Sequence, residues 1–186
     1  RLSNKQVDAL RSVILNLRVD WDTLFDMFQD ESLSVDDLLM GADFLKVVKE
    51  SYNLKYPQMV FSDFLWTVRS IYLPLFLILK SKLPKADIYH CVATGYAGVL
   101  GSMAKYFYDC GLIVSEHGIY TREREEELLK ASWVAGVYKN IWIEQFRKMS
   151  KLAYDRADIV TSLFAHAQSL QIGLGCSEKK LTITPN

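Results

Sequence analysis

From residue 87 onward the chain alternates short runs rich in β-branched residues with longer segments of helical period, and this alternation restricts the fold more than any other feature. The runs are DIYHCVA at 87–93, LIVSE at 112–116, DIVTSL at 158–163 and KLTIT at 180–184. Between them lie a predicted turn, TGYAG at 94–98, and a helix over 98–109. A second helix starts within the charged run after residue 116 and carries Leu128, Leu129 and Trp133, with Gly136 ending or bending it. The clearest helix covers 139–156, where Trp142, Phe146, Met149 and Ala153 form one apolar stripe. A short helix then runs to Gly173 or Gly175. Strand, helix, strand on short connections implies right-handed crossovers and a parallel sheet. Near-continuous apolarity in the strands predicts helices on both of its faces, so the expected class is α/β.

Residues 1–85 read as a mainly helical prelude of the same domain, followed by the α/β portion over 86–186. Trp21, Leu24, Phe25 and Phe28 recur at helical spacing. Ser34 with Asp37 resembles an N-cap arrangement, and Leu38, Leu39, Ala42, Leu45 and Val48 are expected to continue the buried face. Tyr56-Pro57 breaks the pattern. The next helix starts near Ser62 or Asp63 as cap, buries Phe64, Leu65, Val68 and Ile71, and meets Pro74, which either opens a further helix or kinks this one. SKLPKAD at 81–87 is a charged connector.

The 22 basic and 22 acidic residues give zero formal net charge, which removes a broad electrostatic argument for nucleic acid or an anionic membrane. The longest apolar run, IYLPLFLIL at 71–79, is too short to span a bilayer, although an interfacial helix at 64–80 stays open. Cys91, Cys110 and Cys176 have no metal-like spacing and read as small buried hydrophobes in a reducing compartment. Arg1 in place of an initiating methionine, and a strand-like run stopping at Pro185 and Asn186, read as a piece of a longer protein.

In parallel sheets ligands collect beyond the C-terminal ends of the strands. That rule selects TGYAG after the first strand, EHGIYTRE after the second and SLFAHAQ after the third. TGYAG either lets backbone approach a ligand or makes a tight turn into a closely packed helix; it lacks the full dinucleotide or phosphate-loop pattern. His117 either touches a ligand or is structural. A neutral imidazole donates one hydrogen bond and accepts another, which suits a sugar hydroxyl or a leaving-group oxygen, and Gly118 would let a ligand lie on the backbone. Glu116 either supports His117 or pairs with a basic residue at the sheet edge. Tyr120, Thr121, Arg122, Glu123 and Arg124 form a polar cluster, with Arg124 and Glu125 to Glu127 read as a solvated face. His90 reads as a satisfied core or strand-end histidine, and His166 as a cap or a cleft residue. There is no GxSxG elbow, no HExxH and no close His/Cys/Asp cluster, though His90, His117 and His166 could meet at the strand ends.

The segments FSDFLWTVRSIYLPLF at 61–76, ADIYHCVATGYAGVLGSMAK at 86–105, SEHGIYTREREEELLKASW at 115–133 and AYDRADIVTSLFAHAQSLQIGLGCSEKKLTITPN at 153–186 resemble the N-terminal, DUF3492-like part of PelF-type glycosyltransferases of the retaining family 4. EHGIYTRERE is the specific element. The resemblance implies a Rossmann-like parallel sheet forming the N-terminal, acceptor-side half of a two-domain GT-B fold, incomplete at both ends. It implies His117 as the catalytic cleft residue and Thr94, Gly95, Gly118, Tyr120, Arg122 and Glu123 as substrate-side residues. Pro185 and Asn186 would introduce the hinge to a C-terminal donor-binding domain. The implied donor is a nucleotide sugar, UDP-glucose, held mainly by that second domain, with no other cofactor and no metal. The implied partners are a glycan acceptor and a membrane polysaccharide-synthesis complex, at a cytoplasmic location on the inner membrane face, in exopolysaccharide biosynthesis. The fragment alone is expected to be inactive. The alternatives are a non-catalytic binding or scaffold module and a sugar-nucleotide epimerase domain.

Overall fold

A computed structural model describes residues 1–185. The chain divides into two compact units, Arg1–Lys82 and the residues from Leu83 onward.

The first unit is helical. Helix α1 (Asn4–Ile14) opens on a full capping box: the Ser3 hydroxyl accepts from the Gln6 amide, and the Gln6 side chain accepts from Ser3 N–H at 2.8 Å. Helix α2 (Trp21–Gln29) is capped by Asp20 and buries Trp21, Leu24, Phe25 and Phe28 as expected. Helix α3 (Val35–Met40) takes its cap from Ser34, whose hydroxyl accepts from Asp37 N–H at 3.3 Å. Helix α4 (Ala42–Lys55) follows directly, but Gly41 separates the two in extended conformation. That interruption resets the helical phase. Ala42 is exposed and Leu45 only half-buried, while Phe44, Val47 and Val48 take the buried positions.

Helix α5 (Phe61–Leu79) has its cap two or three residues earlier than predicted, at Val60, with neither Ser62 nor Asp63 capping it. Pro74 does not open a new helix; α5 continues through it, at the loss of one backbone hydrogen bond to the Ser70 carbonyl. By length and composition this 19-residue helix could cross a membrane. Its inner face, however, is core: Phe76 packs on Phe28 with ring centroids 4.7 Å apart and meets Phe44 edge-on at 6.3 Å, and Tyr72 donates to the Val13 carbonyl at 2.8 Å. Its outer face carries exposed Trp66, Leu73 and Leu77.

The second unit is a four-stranded sheet of β1 (Ile88–Cys91), β2 (Gly111–Glu116), β3 (Ile159–Ser162) and β4 (Leu181–Ile183), parallel throughout and ordered β1-β2-β3-β4. The connections are α6 (Gly95–Tyr108), then α7 (Tyr120–Lys130) with α8 (Gly136–Arg156), then α9 (Ala165–Gly173) and a 3₁₀ turn, Glu178–Lys180. This is the predicted α/β, Rossmann-like arrangement. Cys91, Leu112, Val114 and Val160 face a core completed by Ala153, Tyr154, Ala157 and Cys176. The three cysteines are free and buried.

Helices on both faces of the sheet are not what this unit has. Ile88 is 63% exposed, and His90 and Ile159 on the same face are exposed too. The reason is topological: with strands in sequential order, right-handed crossovers bring every connecting helix to one face, and only a reversal of order would populate the other. The strands therefore alternate buried and open positions instead of being apolar on both sides.

Several local expectations also change. TGYAG is not a turn: the bend is at 92–94 and α6 begins at Gly95. Gly136 neither ends nor bends the charged helix; it begins α8. Leu129 and Trp133 are exposed, and Trp133 lies outside the helix, leaving Leu128 as its buried anchor. At the other end of the sheet Asp158 accepts from Leu112 N–H at 2.8 Å and pairs with Lys105. Those two contacts, the Lys105 ammonium first, hold its carboxyl below the usual carboxylate range.

Candidate active site

The C-terminal edge of the sheet is organised by one carboxylate. Alternation along β2 turns Glu116 to the helix-covered face, where it is 1% exposed. Its Oε1 accepts from the Thr94 hydroxyl at 3.1 Å and from Tyr120 N–H at 3.3 Å. Its Oε2 accepts from the Tyr154 hydroxyl at 2.6 Å and from the Gln171 amide at 3.0 Å. Its contacts thus run to the loop through Tyr120 N–H and not to His117 itself, and these four partners are all neutral. Neutral donors from the loop after β1, the start of α7, and helices α8 and α9 converge on it. Burial, reinforced by the Glu116 charge, pushes the Tyr154 phenol far up, so it stays a donor. The network continues through Ser150, whose hydroxyl meets Thr94 Oγ1 at 2.9 Å and also the Thr121 hydroxyl.

On this base the chain leaves β2 with His117 and Gly118 exposed at the bend. The His117 ring makes no hydrogen bond to another described residue. The Glu123 carboxylate lies against Gly118, occupying the space a β-carbon would take. Gly95 has φ +65°, and the Tyr120 ring fills its side-chain position, so glycine is required there both by conformation and by contact. Tyr120 is half-buried, meets Phe146 edge-on at 5.9 Å and carries the Arg124 guanidinium 5.6 Å from its ring centroid. Burial raises its phenol, with Arg124 opposing. Burial pushes neighbouring Tyr96 up to about 12, so both phenols are neutral donors.

The structure thus brings Gly95 to Tyr120 and Gly118 to Glu123, with His117 beside them in the chain. Thr94 lies beneath, 1% exposed, with its hydroxyl bonded to Glu116 and Ser150; it supports the loop from inside. Arg122 pairs with Glu125 at 3.1 Å, and Arg147 reaches the same carboxylate at 2.7 Å. Glu125 is consequently buried, not part of a solvated face. The second glycine of TGYAG, Gly98, serves packing: a β-carbon there would stand 2.6 Å from that of Ala153 on α8.

His90 is exposed on the open face of the sheet and not in a core; its Nε2 meets Ser115 Oγ at 2.8 Å, and Thr161 donates to the same oxygen at 2.7 Å. His166 is exposed in the first turn of α9 and does not cap it. Among the described residues no three His, Cys, Asp or Glu side chains are grouped to hold a metal ion. Pro185 is exposed after β4, and Asn186 lies outside the described residues.

Sequence reasoning missed Tyr96, Tyr154, Ser150 and Gln171. Only Tyr96 had a local signal, its place between the two glycines of TGYAG. Helices α6, α7 and α9 all start at this edge without a side-chain cap from their N-cap residue; the first amide of α7, Tyr120 N–H, is taken by Glu116, which leaves the starts of α6 and α9 as the uncapped positive dipole ends.

No curated protein and no solved structure matches the chain. A family model described as "Domain of unknown function (DUF3492)" matches residues 1–179, through both units and past the last helix. By that match the chain is a member of the DUF3492 family.

Proposed function

We propose that this edge is the acceptor-side wall of a retaining, nucleotide-sugar-dependent glycosyltransferase of the PelF type, with UDP-glucose as donor and a growing exopolysaccharide as acceptor. The observation that carries the reading is the exposed, unpartnered His117 ring at the C-terminal end of a central parallel strand, on a loop fixed from below by Glu116. An imidazole so placed can accept from and donate to sugar hydroxyls while the acceptor oxygen attacks the anomeric carbon. The uncapped starts of α6 and α9 nearby favour the negative charge that gathers on the departing diphosphate. Glu123, folded onto Gly118, and Tyr120, seated on Gly95, shape the wall on which the acceptor rests. On this reading the main diphosphate-binding groups belong to a donor-binding domain of the same polypeptide, and the enzyme works in the cytoplasm at the inner face of the membrane.

The test is a panel of nucleotide sugars incubated with the full polypeptide and a glycan acceptor, following donor consumption and product. UDP-glucose should be consumed fastest. His117→Ala should lower turnover by about 10²-fold or more without moving the unfolding midpoint. Equal turnover by variant and parent removes His117 from the site, and no consumption of any donor removes the transfer reading.

A second reading, a non-catalytic docking module of a membrane polysaccharide complex, draws on the outer face of α5, where Trp66, Leu73 and Leu77 stand exposed. Trp66→Ser with Leu77→Ser should then abolish co-purification with membranes while leaving donor consumption intact.

A further inference from the structure

Helices α7 and α8 enclose a cavity of about 260 Å³ lined chiefly by Arg124, Glu127, Leu128, Trp133, Trp142 and Phe146. Trp142 and Phe146, one turn apart on α8, are stacked with centroids 5.9 Å apart and planes at 29°. Trp133, in the link between the helices, is 77% exposed. Together with Trp142 and Phe146 it gives the cavity three aromatic rings, one of them open to solvent. The polar members are paired with each other. Arg124 Nη2 reaches Glu127 Oε1 at 2.6 Å, and the Arg124 guanidinium lies over Tyr120. Arg124 Nε is buried without an acceptor, a donor that native proteins seldom leave unmet.

We propose that this cavity is a binding subsite for one neutral pyranose ring of a glycan. The C–H face of a pyranose carries slight positive charge and matches the negative face of an aromatic ring. Its equatorial hydroxyls both donate and accept, and a carboxylate beside a guanidinium offers them the complementary pair. A small rotation of Arg124 would bring its Nε to a hydroxyl oxygen. The Arg124–Glu127 pair is neutral in sum, so it gives no attraction to a phosphate or a carboxylate ligand. The volume lies below the roughly 300–1,000 Å³ of pockets that hold drug-sized ligands, which suits one ring and not a nucleotide. An aliphatic peptide side chain would desolvate the ion pair and leave Arg124 Nε still unmet, a net cost. Because α7 runs from the His117 loop to this cavity, a bound ring would anchor an acceptor chain that extends toward the loop. That role rests on the transfer reading; binding itself does not.

The experiment uses the ¹⁵N-labelled 186-residue chain and follows the indole N–H signals of its four tryptophans, Trp21, Trp66, Trp133 and Trp142. The probes are methyl β-D-glucopyranoside, methyl β-D-galactopyranoside, N-acetylglucosamine and cellotetraose, with UMP and a trileucine peptide as counter-probes. Trp133 and Trp142 should shift saturably with at least one saccharide while Trp21 and Trp66 stay in place. Trp133→Ala and Arg124→Gln should each weaken that binding about tenfold or more, with the backbone amide signals of Leu112, Val114 and Val160, in the core of the same unit, at parental positions reporting an intact fold. The proposal is overturned if no saccharide moves the two signals, if neither variant weakens the effect, or if only UMP or the peptide moves them. Saccharide shifts without donor consumption would sink the transfer reading alone; donor consumption without shifts would sink this subsite alone.

Discussion

A carboxylate buried beside a strand end must be met by donors, and Glu116 is met by four, from Thr94, Tyr120, Tyr154 and Gln171. Each donor comes from a different segment, so the charge fixes the mutual position of the loops that present His117. Removing one donor leaves the carboxylate under-satisfied in a dry place. Tyr154→Phe should therefore destabilise the chain by about 2 kcal/mol, the range for a hydrogen bond to a buried charge, read as a lower midpoint in urea with an unchanged slope. A midpoint within error of the parent would mean that Glu116 does not depend on Tyr154. At this scale the sequence was legible only in part. The exposure of His117 followed from its place after LIVSE. The burial of Thr94, the reach of Arg147 to Glu125 and the role of Tyr154 did not, because each depends on a partner on another element; Arg147 lies on α8 and Glu125 on α7, and Tyr154 is 38 positions from Glu116. Sequence spacing carries no record of such a meeting.

Between elements, α6 packs on α8 with no room for a side chain at Gly98. Gly98 faces Ala153, Gly101 faces Cys91 and Leu112, and a β-carbon at either glycine would overlap its neighbour. Two opposing effects decide what Gly98→Ala does. Alanine gains about 1 kcal/mol of helix propensity over glycine, but the added methyl would stand 2.6 Å from the Ala153 methyl, and overpacking typically costs about 1–3 kcal/mol. The clash is between two stiff positions with no flexible side chain to yield, so the variant should be less stable than the parent. Ala153→Gly in the Gly98→Ala background should restore much of the loss, giving a coupling in a double-mutant cycle of about 1 kcal/mol or more. Additive effects would show that α6 and α8 can separate freely. The existence and order of these elements could be read from periodicity, because the strands and the 139–156 stripe repeat over enough residues. Their edges could not. Gly41 reset a stripe by breaking one helix into two, and the glycines of TGYAG looked like a turn because close packing and a positive φ both call for the same residue type.

Across the whole molecule, one stretch of backbone separates two self-contained cores. The first unit holds its end in place through Gln29, which donates to the carbonyls of Leu79 at 2.8 Å and Ser81 at 3.2 Å. The second holds its beginning through Tyr108, which donates to the Leu83 carbonyl at 2.6 Å, and Tyr89, which donates to that of Pro84. Residues 81–86 have no regular secondary structure, and Lys82, Lys85, Ala86 and Asp87 are exposed. Charge and connectivity made this connector visible in the sequence; the single covered face of the sheet was not, since it follows from strand order, which periodicity does not encode. A protease needs accessible, extended chain, and backbone hydrogen bonds or packing protect nearly all the rest. Brief trypsin treatment should therefore cut first after Lys82 or Lys85, yielding two fragments that meet at 82–86. The bond after Lys85 should be cut faster, because the Lys82 side chain pairs with Glu31 at 3.0 Å and the following Leu83 is tied by Tyr108. Tyr108→Phe frees that tie and should speed cleavage after Lys82 relative to the parent. Mass analysis of the first products decides it: early cuts spread across α5 or α8, with the connector intact, would mean that the two cores are not the stable units of this chain.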